Sequence, residues 1–151
     1  MKVNIATYFD KNYLSRFLNL KNSFEQFNID HKFHVLCLDD YVYKFLKQND
    51  FANVELILLK EVEKKYGDLS IVKDKREVIE YYFTLSPFLP KYLFEVKNLR
   101  HIIYIDTDYY FFNNPSKLIQ SNFDSSVIII RQHASPKYGK YNVGLLFFNF
   151  N

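Results

Sequence analysis

The sequence predicts an α/β protein with a central, mostly parallel sheet flanked by helices. Short runs of apolar and β-branched residues alternate with longer segments in which apolar residues recur every three or four positions. The short runs are typical of buried strands, and the longer segments are typical of amphipathic helices. Strands that alternate with helices usually pair in parallel and bury both faces of their sheet, so the alternation selects this class.

The first half of the chain contains the clearest strand and helix pairs. Val3–Phe9 is predicted as a strand because Val3, Ile5 and Thr7 are β-branched, and Asp10 is predicted as the N-cap of the following helix. Further strands are predicted over residues 33–38 and 54–59, with a helix over 40–48 between them. This order gives two strand–helix units followed by a third strand.

The second half begins with a predicted turn over residues 67–70 and a helix over 74–85. Ser86 followed by Pro87 predicts a new helix over 87–96, because proline is favoured at the first helical position. Residues 101–105 form the most strand-like stretch of the chain, and a turn is predicted at 113–115. Two last strands are predicted over 127–130 and 144–150.

Length and composition favour one domain over residues 1–151. The chain has 48% hydrophobic residues and a formal net charge of +3, without a run of like charges, which argues against a nucleic-acid-binding protein. No apolar stretch reaches the roughly 18 residues of a membrane span, so we expect a cytoplasmic protein, with peripheral contact at the inner face of the membrane compatible with it. The single cysteine, Cys37, lies in an apolar run and is interpreted as a buried, inert thiol.

Two carboxylates, Asp106 and Asp108, follow the fourth predicted strand. Ligands of open α/β sheets bind outside the carboxyl ends of the strands, so these residues are placed to face a site. In an extended segment, residues two apart point to the same side. Two carboxylates on one side suit Mn²⁺ or Mg²⁺, which complete their shells with phosphate oxygens and water. A structural turn that caps the next helix is the alternative interpretation of an Asp-x-Asp pattern.

The stretch HIIYIDTDYYFFNNPSKL resembles the region around the metal-binding Asp-x-Asp of the GT-A glycosyltransferases, particularly those related to glycogenin and the bacterial lipopolysaccharide sugar transferases. Three other stretches agree with that family in order and spacing: IATYFDKNYLSRFLNLKNSF, YYFTLSPFLPKYLF and KYNVGLLFFN. The resemblance implies a Rossmann-like GT-A fold, with the C-terminal acceptor half of the family's domain absent.

The resemblance also implies a donor site. It places Ala6, Thr7 and Tyr13 in the nucleobase pocket, and Asn142 and Gly144 near the transferred sugar. Tyr13 could equally pack on the sheet, Asn142 could set a turn, and Gly144 could mark a bulge.

The diphosphate is expected to meet Asp106, Thr107 and Asp108, with Mn²⁺ or Mg²⁺ held by the two aspartates. A cation from Arg76 or Lys75 is expected to assist, because the family's lysine position is occupied by Pro87. His133 is interpreted as a loop histidine rather than a ligand. The pair Asp39 and Asp40 could touch a ribose or cap the next helix.

The resemblance predicts a metal-dependent glycosyltransferase that moves a sugar from a nucleoside-diphospho-sugar, expected to be UDP-linked, to an acceptor that the sequence does not identify. The first alternative is a non-catalytic donor-binding or scaffold fragment of a longer transferase, with an exposed apolar edge and self-association. The second is a haloacid-dehalogenase-type phosphatase, whose Asp-x-Asp normally opens the fold, whereas here the motif begins at Asp106 and Tyr110 occupies the place of the usual Thr or Val.

Overall fold

The computed structural model describes residues 2–121, 125–132, 135, 137 and 139–150. Its helices and strands, in chain order, are β1 (Val3–Phe9), a 3₁₀ helix (Lys11–Tyr13), α1 (Leu14–Glu25), β2 (His31–Cys37), α2 (Asp40–Asn49), β3 (Val54–Leu58), α3 (Leu59–Lys65), α4 (Asp68–Lys73), α5 (Val78–Glu95), β4 (His101–Ile105), α6 (Ser116–Gln120), β5 (Val127–Arg131) and β6 (Tyr141–Asn149).

The described strands form one sheet in the order β3-β2-β1-β4-β6-β5. The first four pair in parallel, and β6 runs antiparallel to both β4 and β5. A register shift between Ile129 and Ile130 interrupts the pairing of the outer strand β5. The predicted α/β class with a mostly parallel, helix-flanked sheet is therefore confirmed.

Helices cover both faces of the sheet. One buried cluster joins β1, β2 and β4 to α1 and α2 through Phe17, Leu20, Phe24, Val42 and Leu46. The cluster on the other face joins the same strands to α3, α4 and α5 through Val62, Leu69, Leu85, Leu89 and Leu93. Since full burial of one such side chain contributes about 1.5–3 kcal/mol, these two clusters hold the sheet between its helices.

The strand order opens a crevice at the carboxyl ends of β1 and β4. The chain leaves β1 through α1 to reach β2 on one side, and it reaches β4 on the other side of β1 only after α5. Connections that leave neighbouring parallel strands in opposite directions create a crevice where α/β proteins bind ligands.

Helix α5 is continuous, so the predicted break at Ser86 is wrong. Pro87 lacks the N–H that would bond the carbonyl of Phe83, and the Ser86 hydroxyl donates to that carbonyl instead, at 3.0 Å. Leu85 and Leu89, on either side of the proline, are buried in the same cluster. Packing and the serine hydroxyl together keep one helix where the sequence predicted two.

The segment before α5 also differs from its prediction. The turn predicted over 67–70 contains the start of α4, because Leu69 is buried under the neighbouring helices and a helical turn places it there. The helix predicted from residue 74 begins only at Val78, where Glu77 and Glu80 form a reciprocal capping box. In the described part of the chain, no helix has both the length and the hydropathy needed to cross a membrane.

Candidate active site: an acidic cleft at the carboxyl ends of the strands

A cleft of about 490 Å³ lies where the carboxyl ends of β1, β2 and β4 meet the first turns of α5. Its described lining residues are Tyr8, Phe9, Asp10, Asn12, Tyr13, Leu38, Val78, Ile79, Tyr82, Phe83, Asp106, Thr107 and Asp108. Three of these are aspartates, and none of the described lining residues is a lysine, an arginine or a histidine. The cleft therefore combines carboxylates on the strand side with apolar and aromatic side chains on the α5 side.

Asp106 and Asp108 lie in a turn rather than in an extended segment. Strand β4 ends at Ile105, and the Tyr109 N–H donates to the Asp106 carbonyl at 3.2 Å to close the turn. The extended geometry assumed from the sequence is therefore wrong, although both aspartates line the same cleft. Thr107, between them, is buried, while Asp108 is exposed.

The Asp106 carboxylate is half-buried and held by Tyr104. The Tyr104 hydroxyl donates to Asp106 Oδ1 at 2.6 Å. Burial raises the pKa of Asp106 and the negative charge of Asp108 adds to that effect, while the hydrogen bond from Tyr104 opposes it. Burial and the negative charge of Asp106 also raise the pKa of Tyr109. Negative charge is thus concentrated at this end of β4.

Gly144 lies directly against the other oxygen of Asp106. Its carbonyl accepts a hydrogen bond from the Asp106 N–H at 2.8 Å, and a Cβ at this position would lie 2.7 Å from Asp106 Oδ2. The Asn142 side-chain oxygen accepts from the Gly144 N–H at 2.8 Å and from the Tyr109 hydroxyl at 3.4 Å. The predicted sugar-site residues Asn142 and Gly144 are therefore brought next to Asp106, although they do not line the cleft.

The two aspartates can provide two ligands to a divalent cation whose remaining ligands do not come from the described residues. Neither carboxylate forms an ion pair with a described lysine, arginine or histidine. Within the described ranges, no group of three or more histidines, cysteines, aspartates or glutamates is arranged to hold a metal ion. A pair of carboxylates fits Mn²⁺ or Mg²⁺ only when phosphate oxygens and water complete the shell.

Of the predicted base-binding residues, the structure places Tyr13 in the cleft but not Ala6 or Thr7. Tyr13 lines the cleft with 43% of its surface exposed, and the Arg16 guanidinium lies 4.5 Å from its ring centre. Ala6 and Thr7 are fully buried in the middle of β1 and do not reach the cleft. Their place at the strand end is taken by Tyr8, since β1 continues to Phe9.

The two cationic side chains predicted for the site, Arg76 and Lys75, lie outside the lining of the cleft. The Arg76 guanidinium donates to the Thr84 hydroxyl, and neither Arg76 nor Lys75 lines the cleft. Asp39 is the N-cap of α2, where its two carboxylate oxygens accept from the N–H groups of Val42, at 2.8 Å, and Lys11, at 2.7 Å. His133 lies outside the described residues.

Two parts of the site were not predicted from the sequence. Tyr104 precedes Asp106 by two positions at the end of a predicted strand, and this spacing indicates that the two side chains lie on the same side. The α5 wall, which contains Val78, Tyr82 and Phe83, had no such sign, because its apolar residues match the pattern of a buried helix face. Tyr82 and Asp10 line the same cleft, and burial together with the negative charges of Asp10 and Asp39 raises the pKa of Tyr82.

No protein-family model matches the chain. Two uncharacterised proteins of Bacillus subtilis (strain 168) are similar in sequence: YfnF is 28% identical over 143 residues, and YfnD is 24% identical over 151 residues. The matches cover 93% and 95% of this chain but 46% and 48% of the two relatives. The chain therefore spans about half the length of the curated relatives it matches.

Solved glycosyltransferases share its fold. The galactosyltransferase LgtC, solved with donor and acceptor sugar analogues, superimposes with a TM-score of 0.61 at 16% identity, covering 97% of this chain and 58% of LgtC. The glycosyltransferase GlyE of Streptococcus pneumoniae TIGR4 has a TM-score of 0.59 at 14% identity, covering 99% of this chain and 34% of GlyE. The bifunctional glycosyltransferase WbbM has a TM-score of 0.59 at 16% identity, covering 98% of this chain and 31% of WbbM. The predicted GT-A fold is thereby confirmed.

Proposed function

We propose that this chain is the donor-binding part of a glycosyltransferase and binds a nucleoside-diphospho-sugar, UDP-linked, together with Mn²⁺ or Mg²⁺. The single observation that carries the proposal is the pair Asp106 and Asp108, which line one cleft without an ion-pair partner among the described residues. The cleft lies at the sheet edge where α/β folds bind nucleotides. The glycosyltransferase structures with the same fold support the same class of function.

The lining residues suggest where the parts of a donor would bind. A diphosphate cannot approach carboxylates without a counter-charge, and the described lining has no cationic side chain to provide it. Asp106 and Asp108 would therefore hold the cation. When bound, a divalent cation supplies charge neutralisation for the departing diphosphate without proton transfer.

The aromatic residues of the cleft would bind the nucleoside and shield it from water. Tyr13 offers a half-exposed ring, and Phe83 and Val78 on α5 offer exposed apolar surface. Aromatic faces suit nucleobases, and exclusion of water strengthens every electrostatic interaction in the site.

The acceptor and the transfer step belong to a longer protein in this proposal, since the chain matches about half of its relatives. A second candidate, donor binding without transfer, is favoured by the outer strand β5. Val127, Ile129 and Ile130 on that strand are exposed, which leaves an apolar edge of the kind that self-association or a further part of the protein would cover. In the longer protein, release of sugar from UDP-glucose or UDP-galactose separates the two, because turnover there supports transfer, whereas donor binding without any turnover supports the second candidate.

Thermal unfolding tests the proposed donor site. We expect UDP with Mn²⁺ to raise the melting temperature, with GDP and CMP as comparison nucleotides, and a ligand at about a hundred times its Kd adds about 2.7 kcal/mol of apparent stability. The Asp106→Ala/Asp108→Ala variant should lose this shift. The matched control Asp68→Asn/Asp74→Asn removes two exposed aspartates outside the cleft and should keep it.

A wild-type protein that is folded but shows no shift with any of the three nucleotides and Mn²⁺ would contradict the proposal. A shift that persists in the Asp106→Ala/Asp108→Ala variant would show nucleotide binding elsewhere and would remove these aspartates from the site.

A further inference from the structure

We propose that Tyr104 is a positioning residue that orients the Asp106 carboxylate for a divalent cation. The inference rests on the proposed function, because it concerns the same site. It goes beyond the Asp-x-Asp pair by assigning a role to a side chain that does not line the cleft.

Tyr104 contacts Asp106 directly. The Tyr104 hydroxyl lies 2.6 Å from Asp106 Oδ1, a distance typical of a strong hydrogen bond from a hydroxyl to a carboxylate. Asp106 is the first residue after β4, and although its N–H still bonds the Gly144 carbonyl, that bond does not fix the side-chain torsions. The hydroxyl therefore supplies a restraint that the backbone does not.

Tyr104 itself is held by the packing around it. Its side chain is 3% exposed and belongs to the buried cluster beneath α5. The ring of Tyr8, on the neighbouring strand β1, lies 5.8 Å from it between centroids. Because the ring is packed on the strand and the helix, its hydroxyl has a fixed position relative to the sheet.

The opposite side of the Asp106 carboxylate faces Gly144. Gly144 of β6 has no side chain, and its backbone packs so closely that a Cβ would lie 2.7 Å from Asp106 Oδ2. Asp106 is thus confined between the Tyr104 hydroxyl and the Gly144 backbone. Groups that orient a metal-ligating side chain in this way typically change metal affinity by about 10- to 100-fold when they are removed.

The experiment compares Tyr104→Phe with Tyr81→Phe. Tyr81 is the matched control, because it is 2% exposed and donates to the Glu63 carboxylate at 2.7 Å, but it does not line the cleft or contact Asp106. Free Mn²⁺ is measured by electron paramagnetic resonance during a titration at saturating UDP. Urea unfolding without metal is measured on the same proteins.

We expect Tyr104→Phe to weaken Mn²⁺ binding about tenfold or more and Tyr81→Phe to leave it within twofold of the wild type. Mn²⁺ binding by Tyr104→Phe at the wild-type affinity would overturn the inference, and so would an equal loss in both variants. A wild type that binds no Mn²⁺ with UDP would instead refute the proposed function, so the two failures are distinguishable.

The wild type also provides a readout that does not depend on how well the variant folds. With tyrosine labelled with ¹³C at Cζ, addition of Mg²⁺ and UDP should shift the Tyr104 resonance and leave that of Tyr81 in place. An unchanged Tyr104 resonance in a protein that binds Mg²⁺ and UDP would overturn the inference.

Discussion

Gly144 allows the most direct perturbation of the site, because a single methyl group placed there meets Asp106. The Cβ of Gly144→Ala would lie 2.7 Å from Asp106 Oδ2, whereas ordinary contacts at such positions begin at 3.4 Å. With the backbone in place the carboxylate, as the nearest group, has to move by about 0.7 Å, and the Tyr104 hydroxyl at 2.6 Å on its other oxygen resists that movement. The added Cβ would also lie 3.0 Å from Tyr109 Cε2 and 3.1 Å from Asn142 Oδ1. We predict that Gly144→Ala weakens Mn²⁺-dependent UDP binding.

The size of the effect follows from the restraint on the side chain. Forcing a side chain about 30° from its preferred rotamer costs about 0.5–1.5 kcal/mol, and distortion of the Tyr104 hydrogen bond adds about 1 kcal/mol. Since 1.4 kcal/mol corresponds to tenfold in affinity, we expect Kd to rise about tenfold or more.

The assay is a Mn²⁺ titration at saturating UDP, with Gly67→Ala as the control. Gly67 has helical backbone angles and no heavy atom within 4 Å of an added Cβ, so the same substitution there should leave binding unchanged. Wild-type affinity in Gly144→Ala would show that the Asp106 carboxylate can move without consequence for the metal, contrary to this prediction.

Three further predictions concern the base site, helix α5 and pH. Tyr13→Ala should weaken UDP binding about tenfold or more in a calorimetric titration, because stacking on an aromatic ring contributes about 1–3 kcal/mol per base. Tyr41 is exposed and lies outside the cleft, so Tyr41→Ala is the control in the same titration. Ser86→Ala should lower the free energy of unfolding in urea by about 0.5–1.5 kcal/mol, since the Phe83 carbonyl loses its donor, and an unchanged value would show that this hydrogen bond does not stabilise the helix. Burial alone would raise the pKa of Glu55, but hydrogen bonds from two lysines outweigh it and lower the pKa to about 2. The stability that Glu55 contributes is therefore complete above pH 4.5 and is lost as the pH falls from 4.5 through 2. Urea unfolding at pH 6 and pH 3 should show a loss of stability that is about 1–2 kcal/mol larger in the wild type than in Glu55→Gln, after allowance for partial exposure; an equal loss in both would contradict it.

The strands of the sheet could be predicted from the sequence, and two of them, Val3–Phe9 and His101–Ile105, have the predicted bounds in the structure. The sequence was also sufficient to place Asp106 and Asp108 at a strand end. It could not show that α5 is continuous, since the Ser86 hydroxyl that compensates for Pro87 can be recognised only once the helix exists.

The rest of the candidate site depends on contacts between distant parts of the chain. Gly144 is 38 positions from Asp106, and their proximity arises only because β6 pairs antiparallel with β4. The prediction placed Ala6 and Thr7 in the pocket, while the cleft begins at Tyr8, because the point at which a strand emerges from the sheet depends on the length of its neighbours. Periodicity identifies the elements but not the few residues that face a ligand.

In the proposed function, the cation held by Asp106 and Asp108 makes donor binding possible in this cleft. Calorimetric titration of UDP into the wild-type protein, once with Mn²⁺ and once with excess EDTA, tests this role most directly. We predict saturable binding with Mn²⁺ and none with EDTA, because the described lining presents three aspartates and no cationic side chain to the diphosphate. Equal affinity with and without the metal would show that the cation has no part in donor binding.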